Sequence, residues 1–207
     1  MFLNREEAGI LLASKVGKIR GLKSPIVVAI PRGGIVVGNI VSRILQIPLF
    51  PLVVKKITAP QNPELALGAV GTGGIAYWDE RILEKIKLSQ EEKEMLLRQT
   101  IESVRAREEK LGAAKINVSG RDVIIVDDGV ATGSTAVAAS MILKKLHAEK
   151  IILATPVISK LTKKEILKYF TTIVLVLLPR DFSAVGQFYQ EFPQIEDEEV
   201  KEILKSK

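Results

Sequence analysis

An α/β fold built on a mostly parallel, doubly wound sheet is predicted by three observations. Short apolar runs alternate with stretches of helical spacing along most of the chain, the pattern of strand–helix–strand units with right-handed crossovers. Two of those runs, at 26–30 and 123–127, end in Gly-containing turns that lead directly into an apolar helical pattern. No internal repeat or low-complexity tract interrupts the alternation, and at 207 residues with 47% hydrophobic and 26% charged residues the default is one globular domain.

The elements follow in order. Asn4 with Glu7 three residues on is a capping box, opening a helix that Gly21 is expected to close. Residues 26–30 read as a buried strand, Pro31-Arg32-Gly33-Gly34 as the turn after it, and 35–45 as a packed helix. The next strand, 49–54, ends in Lys55-Lys56. Residues 58–74 hold Pro60, Pro63 and four glycines without a strong period, which predicts a long loop. Ser89 with Glu92 is a second capping box, starting a charged amphipathic helix toward Gly112 whose apolar positions include Leu96, Ile101 and Val104. Strands at 123–127, 151–156 and 172–178 then alternate with helices at 133–146 and 161–170, and Asp197 begins a final amphipathic helix.

Composition narrows the chemistry. The chain has no cysteine and one histidine, His147, so disulfides, thiolate metal sites, cysteine nucleophiles and a Ser-His triad are all hard to build. Asn4 and the charged Arg5, Glu6 and Glu7 interrupt any leader pattern near Met1, and the longest apolar runs are far too short to cross a bilayer, which predicts a cytoplasmic protein with no membrane partner. The net charge of +6 is spread through interleaved acids and bases, as in 91–110, rather than gathered in one stripe. That distribution predicts solvated helix faces and no specific nucleic-acid partner.

The most informative string is Asp127-Asp128-Gly129-Val130-Ala131-Thr132-Gly133-Ser134-Thr135. The first N–H groups of a helix have no backbone partner, and together with the helix dipole they attract anions. Gly129 and Gly133 permit close approach of backbone N–H groups, and Thr132, Ser134 and Thr135 add hydroxyl donors at the same point. Asp127 and Asp128, at the strand end, repel a second phosphate but accept from paired ribose hydroxyls. A ribose 5-phosphate suits both halves. The spacing from Gly129 to Gly133 is one residue short of a P-loop, and no lysine follows the second glycine. A doubly wound strand that ends in Asp-Asp-Gly and binds nothing is the plainer alternative.

These residues carry a resemblance to the type I phosphoribosyltransferases, whose binding loop for phosphoribosyl pyrophosphate (PRPP) is an apolar strand, two acids and a short loop ending Thr-Gly-x-Thr. The chain is similar, over nearly all its length, to a bacterial and archaeal branch with Pro-Arg-Gly-Gly after the first strand and an aromatic-rich C-terminal segment. The resemblance implies that residues 127–135 bind PRPP and that Pro31, Arg32, Gly33 and Gly34 form the pyrophosphate loop, where the family often has an unusual peptide conformation. In open sheets ligands sit outside the carboxyl ends of the strands, where Arg32, Lys55 and Lys56 are expected beside Asp127. Arg32 and Lys56 are the candidates for neutralising the leaving diphosphate. Arg32 merely solvated beside tightly packed glycines is the alternative, and one of Lys55 and Lys56 facing solvent is another, because adjacent strand residues face opposite sides.

The same resemblance implies transfer of ribose 5-phosphate from PRPP to a nitrogen acceptor such as a nucleobase, with release of pyrophosphate. Mg²⁺ is the implied cofactor, held mainly by PRPP and water, with Asp127 and Asp128 acting through water. A small hood, to which 179–207 contributes, would hold the acceptor. Phe182, Tyr189 and Phe192 are either its stacking wall or a packed C-terminal cap. Glu64 is a proton donor or acceptor by residue type alone, or structural. Hypoxanthine-guanine enzymes carry Asp immediately before Thr-Gly. Here that residue is Ala131, which leaves adenine-like, orotate-like or other acceptors open. A homodimer is expected. Two rivals remain, a PRPP-sensing regulator and a nucleotide-binding protein of the same fold without turnover.

Overall fold

The computed structural model describes residues 1–86, 88–113 and 116–206, and of Pro63 and Glu64 the backbone alone. The chain opens with α1 (Arg5–Val16), capped by the Asn4 side chain, which accepts from the N–H groups of Glu6 and Glu7. The Glu7 carboxylate reaches back to the N–H of Leu3, one residue before the cap. The helix ends at Gly17 rather than Gly21; Gly21 does take the left-handed conformation expected of a terminating glycine, but in the connection beyond.

The central sheet is formed by β1 (Ile26–Ala29), β2 (Leu49–Pro51), β6 (Val123–Val126), β7 (Ile151–Val157) and β8 (Thr172–Leu177) in the order β2-β1-β6-β7-β8. Every pair is parallel, with Ile26 opposite Val123, Val123 opposite Ile151 and Ile152 opposite Thr172. Side chains alternate between the faces. Val27, Ala29, Ile124, Val126, Ile152 and Ala154 pack with α1 and with α2 (Gly33–Leu45), whereas Ile26, Val28, Val123, Ile125, Ile151 and Leu153 form a second core with α5 (Ser134–Lys145) and α6 (Lys160–Ile166). With both faces covered, the strands are apolar apart from Thr155 and Thr172, which is why they read as nearly continuous runs. Strand order reverses between β1 and β6, so the turns after these two neighbours open on one crevice.

Residues 58–74 are not a loop. β3 (Val54–Ala59) and β4 (Asn62–Gly71) form an antiparallel hairpin, and β5 (Ile75–Trp78) adds a third strand. Glycine hides the strand in the sequence because two of its glycines mark close approach: a Cβ at Gly68 would overlap the Tyr77 carbonyl of β5, and one at Gly71 would lie 2.6 Å from Ile142 of α5. The expected strand 49–54 is accordingly two strands in two sheets. The short α3 (Glu80–Leu83) leads to α4 (Gln90–Leu111), which has both halves of the Ser89–Glu92 capping box and a left-handed Gly112 at its end, as the sequence predicts. The helix expected at 161–170 is α6 followed by a tighter turn at Leu167–Tyr169. The terminal helix α7 (Asp197–Lys205) begins at Asp197, whose buried carboxylate pairs with Arg107 at 2.6 Å and Lys110 at 2.7 Å on α4.

Candidate active site

The turn after β1 is shaped by missing side chains. The Pro31–Arg32 peptide is cis, an unusual conformation of the kind implied at this turn by the resemblance. A Cβ on Gly33 would overlap the Asp128 carboxylate, and one on Gly34 would sit 2.8 Å from the Val126 carbonyl and 3.0 Å from Asp127 Cα. Only glycine lets the start of α2 rest directly on the end of β6. Ile30 N–H donates to the Val126 carbonyl at 2.9 Å, so the two strand ends are tied immediately below the crevice.

The loop after β6 has a different construction. Val130 continues the strand direction by donating its N–H to the Val157 carbonyl at 2.9 Å. Gly133 adopts a left-handed conformation as the N-cap of α5 and has no side chain to cap the helix; the Thr132 hydroxyl accepts from the N–H of Ser134 at a long 3.4 Å. A helix start of this kind has N–H groups suited to an anion, and the Thr132 and Ser134 hydroxyls lie 3.2 Å from each other beside it. Gly129 is needed for packing: a Cβ there would overlap Val185 of the C-terminal segment.

Asp127 and Asp128 differ sharply although they are neighbours. Asp127 Oδ1 accepts from the N–H of Asp128 at 3.0 Å. Burial and then the Asp128 charge push its carboxyl well above the usual carboxylate range. Asp128 Oδ2 accepts from Arg5 Nε at 2.7 Å in a pair whose side chains are 8% and 14% exposed. Burial raises this carboxyl too, opposed by the hydrogen bond and charge of Arg5. Arg5 also donates from Nη1 to the Pro193 carbonyl at 2.8 Å, and its guanidinium lies 3.7 Å above the Phe192 ring. The Tyr189 hydroxyl donates to the Asp128 carbonyl at 2.6 Å. Backbone and side chain of Asp128 are thus both held, and among the described residues no other side chain bonds Asp127 Oδ2 or Asp128 Oδ1.

Arg32 lies at this crevice, 3.6 Å from Glu196 Oε2 and 34% exposed. The expected cluster of three cations does not form as foreseen. Lys55 and Lys56 lie inside β3, opposite Val70 and Ala69, rather than at the end of a parallel strand, and Lys55 Nζ donates to Ser103 on α4 at 2.6 Å. Glu64 falls in β4, and its side chain lies outside the described residues. The three C-terminal aromatics share one apolar cluster with Phe2 and Val157. Tyr189 is buried against Phe2 and Phe192, Phe192 is stacked beneath Arg5, and Phe182 pairs with Phe188 at 5.2 Å between ring centres. Phe2 exchanges backbone hydrogen bonds with Phe188 and Gln190, so the N-terminal residues clamp this segment beneath the acid pair.

Comparison with known proteins decides the family. A family model described as phosphoribosyl transferase domain matches residues 4–191. The chain belongs to the phosphoribosyl transferase domain family. Two curated relatives from Mycobacterium tuberculosis strains CDC 1551 and H37Rv, both named "Putative phosphoribosyl transferase", are 35% identical over 206 residues, covering 99% of this chain and 46% of their own length. The chain therefore spans about half the length of the curated relatives it matches. A Thermus thermophilus crystal structure, of a protein designated TT1426, superposes with a TM-score of 0.90 at 37% identity, over 99% of this chain and 98% of that one. A structure from Aquifex aeolicus, at a TM-score of 0.50 and 13% identity over 83% of this chain and 71% of that one, shares the fold.

For a phosphoribosyl transferase the position of the acid pair also bears on a metal. Among the described residues no group of three or more His, Asp or Glu gathers as a metal cage, and no helix is long and apolar enough to cross a membrane. Two desolvated carboxylates with one oxygen each left over suit an ion that keeps most of its ligands as water and phosphate oxygens. Arg5, Val185 and Glu196 were not legible as site residues, because each reaches the crevice from a distant part of the chain.

Proposed function

We propose that the chain transfers ribose 5-phosphate from PRPP to a nitrogen of an aromatic acceptor, of nucleobase type, and releases pyrophosphate. The observation that supports this reading is the pairing of two unlike glycine-containing turns across the β1/β6 crevice, with Asp127 and Asp128 between them. The glycine-led start of α5 takes the 5′-phosphate on backbone N–H groups of 131–135 with the Thr132, Ser134 and Thr135 hydroxyls. The two spare carboxylate oxygens take the ribose hydroxyls. The Pro31–Gly34 turn and Arg32 take the diphosphate, with Lys56 as the further candidate cation.

As the C1–oxygen bond breaks, positive charge grows on the ribose and negative charge on the leaving diphosphate. Arg32, released from Glu196, neutralises the leaving group, and the carboxylates face the electron-poor sugar. The acceptor supplies the nucleophile. Mg²⁺, with its waters held by Asp127 and Asp128, would add charge neutralisation at the diphosphate. Phe182, the partly exposed ring outside the Arg5 stack, is the best placed of the three aromatics to meet an acceptor, whereas Tyr189 and Phe192 support it from behind. A single domain over 1–207, a homodimer and a cytoplasmic setting belong to the same reading.

The test is a panel of purine, pyrimidine and carboxylated aromatic bases with PRPP and Mg²⁺, followed by pyrophosphate release. Turnover with at least one base is expected. PRPP binding without turnover of any base would replace the transferase with a sensor of PRPP.

A further inference from the structure

We infer that Thr162, on α6, is a positioning residue that sets the carbonyl orientation of the phosphate loop; this rests on the reading of 131–135 as the 5′-phosphate site. A backbone anion site works only when N–H groups converge on the anion and the intervening carbonyls turn away, since a carbonyl oxygen aimed inward repels a phosphate. The Ala131 carbonyl stands at the entrance of the loop, and nothing in its own sequence fixes its direction. Thr162 does so from outside. Its hydroxyl donates to the Ala131 carbonyl at 2.7 Å from a side chain that is almost fully buried.

The direction of this contact is fixed by its neighbours. A carbonyl only accepts, so the Thr162 hydrogen must point at Ala131. The Thr162 oxygen then accepts from the Ser159 hydroxyl at 2.9 Å, and Ser159 Oγ in turn accepts from the N–H of Thr162 at 3.0 Å as the cap of α6. The hydroxyls form a relay with one allowed polarity that ends on the loop carbonyl. Packing holds the same face in place: a Cβ at Gly133 would lie 2.9 Å from Ile166 and 3.2 Å from the Thr162 methyl, so α6 sits directly against the left-handed residue that opens α5. Helix α6 acts as a buttress, and Thr162 is the point at which it controls the peptide before Thr132.

Thr162→Val keeps the methyl and volume while deleting the donor, and Thr162→Ser keeps the donor. Ribose 5-phosphate and inorganic pyrophosphate are titrated by calorimetry against wild type and both variants, with backbone amide shifts of 131–135 recorded in parallel. Thr162→Val should weaken ribose 5-phosphate about tenfold, the worth of one hydrogen bond, while pyrophosphate changes less than about twofold and Thr162→Ser restores wild-type affinity. Ser159→Ala, which leaves Thr162 without its donor, should give a smaller loss with the same selectivity and stands in if Thr162→Val fails to fold. Equal losses for both ligands, or unchanged ribose 5-phosphate affinity, would overturn the inference alone. Absence of any shift at 131–135 in the wild type would overturn the phosphate site and this inference with it.

Discussion

The turn after β1 and the loop after β6 sit at neighbouring strand ends, yet one is shaped by absent side chains and the other by hydroxyls. Gly34 lets backbone rest on backbone and Gly33 lies against the Asp128 carboxylate, so an added atom meets either main chain or the buried Arg5–Asp128 pair. Around Gly133 the neighbours are the side chains of Ile166 and Thr162, and the carbonyl of Ala131 is steered by a single hydrogen bond. The first construction is rigid and intolerant; the second is adjustable one contact at a time. Under the proposed function, a leaving group that must be held in one geometry and a phosphate that is held throughout the reaction would call for these two solutions.

The contrast breaks most visibly at the glycines. Gly33→Ala should cost about 3–5 kcal/mol in urea unfolding, because the new methyl separates Arg5 from Asp128 and leaves buried charge unpaired. Gly133→Ala should cost only about 1–2 kcal/mol, the strain of a left-handed alanine, since Ile166 can shift. Equal costs would mean that both turns are side-chain-limited.

Arg32→Ala tests the ligand side of the same contrast. It should weaken PRPP and pyrophosphate by about 1.5–3 kcal/mol, the range for a hydrogen bond to a charged group, and leave ribose 5-phosphate nearly unchanged. Isothermal titration of the three ligands reads this directly, and a uniform loss would make Arg32 a structural residue.

The acid pair sharpens the comparison through pH. Asp127 keeps its proton to higher pH in the folded protein than in the unfolded chain, so between the two values the native state binds more protons. Stability should therefore be fully present below the ordinary carboxylate range and fall as pH rises through the raised folded value. Asp127→Asn, which cannot ionise, should flatten that fall in thermal melts taken across the acidic and neutral range. A wild-type profile that instead gains stability over this window would show that Arg5 governs both carboxylates. The smallest effect belongs to Lys55→Ala, which removes one exposed contact with Ser103 and should change stability by less than about 0.5 kcal/mol and PRPP affinity much less than Arg32→Ala does.

Much of this arrangement was legible in the residues alone. The apolar runs at 26–30 and 123–127 are strands because both faces are covered, and a strand buried on both faces needs no alternation to betray it. The capping box at Ser89, the left-handed end at Gly112 and the start of α7 at Asp197 are local, and local hydrogen bonding is written within a few residues. The strand end, left-handed glycine and helix start from Asp127 to Thr135 were legible for the same reason, since they are consecutive.

Tertiary structure alone decided the rest. The hairpin of β3 and β4 was hidden because its glycines answer to Tyr77 on the neighbouring strand and to Ile142 on the distant α5, rather than to a turn. Lys55 and Lys56 came to lie within an antiparallel strand of a second sheet rather than at the end of a parallel one. Arg5 reaches Asp128 across 123 positions, and Thr162 reaches Ala131 across 31. A sequence states which donors and acceptors exist and orders those within one turn of each other; which distant pairs meet depends on how the layers pack, and that is where the two consecutive aspartates became unlike.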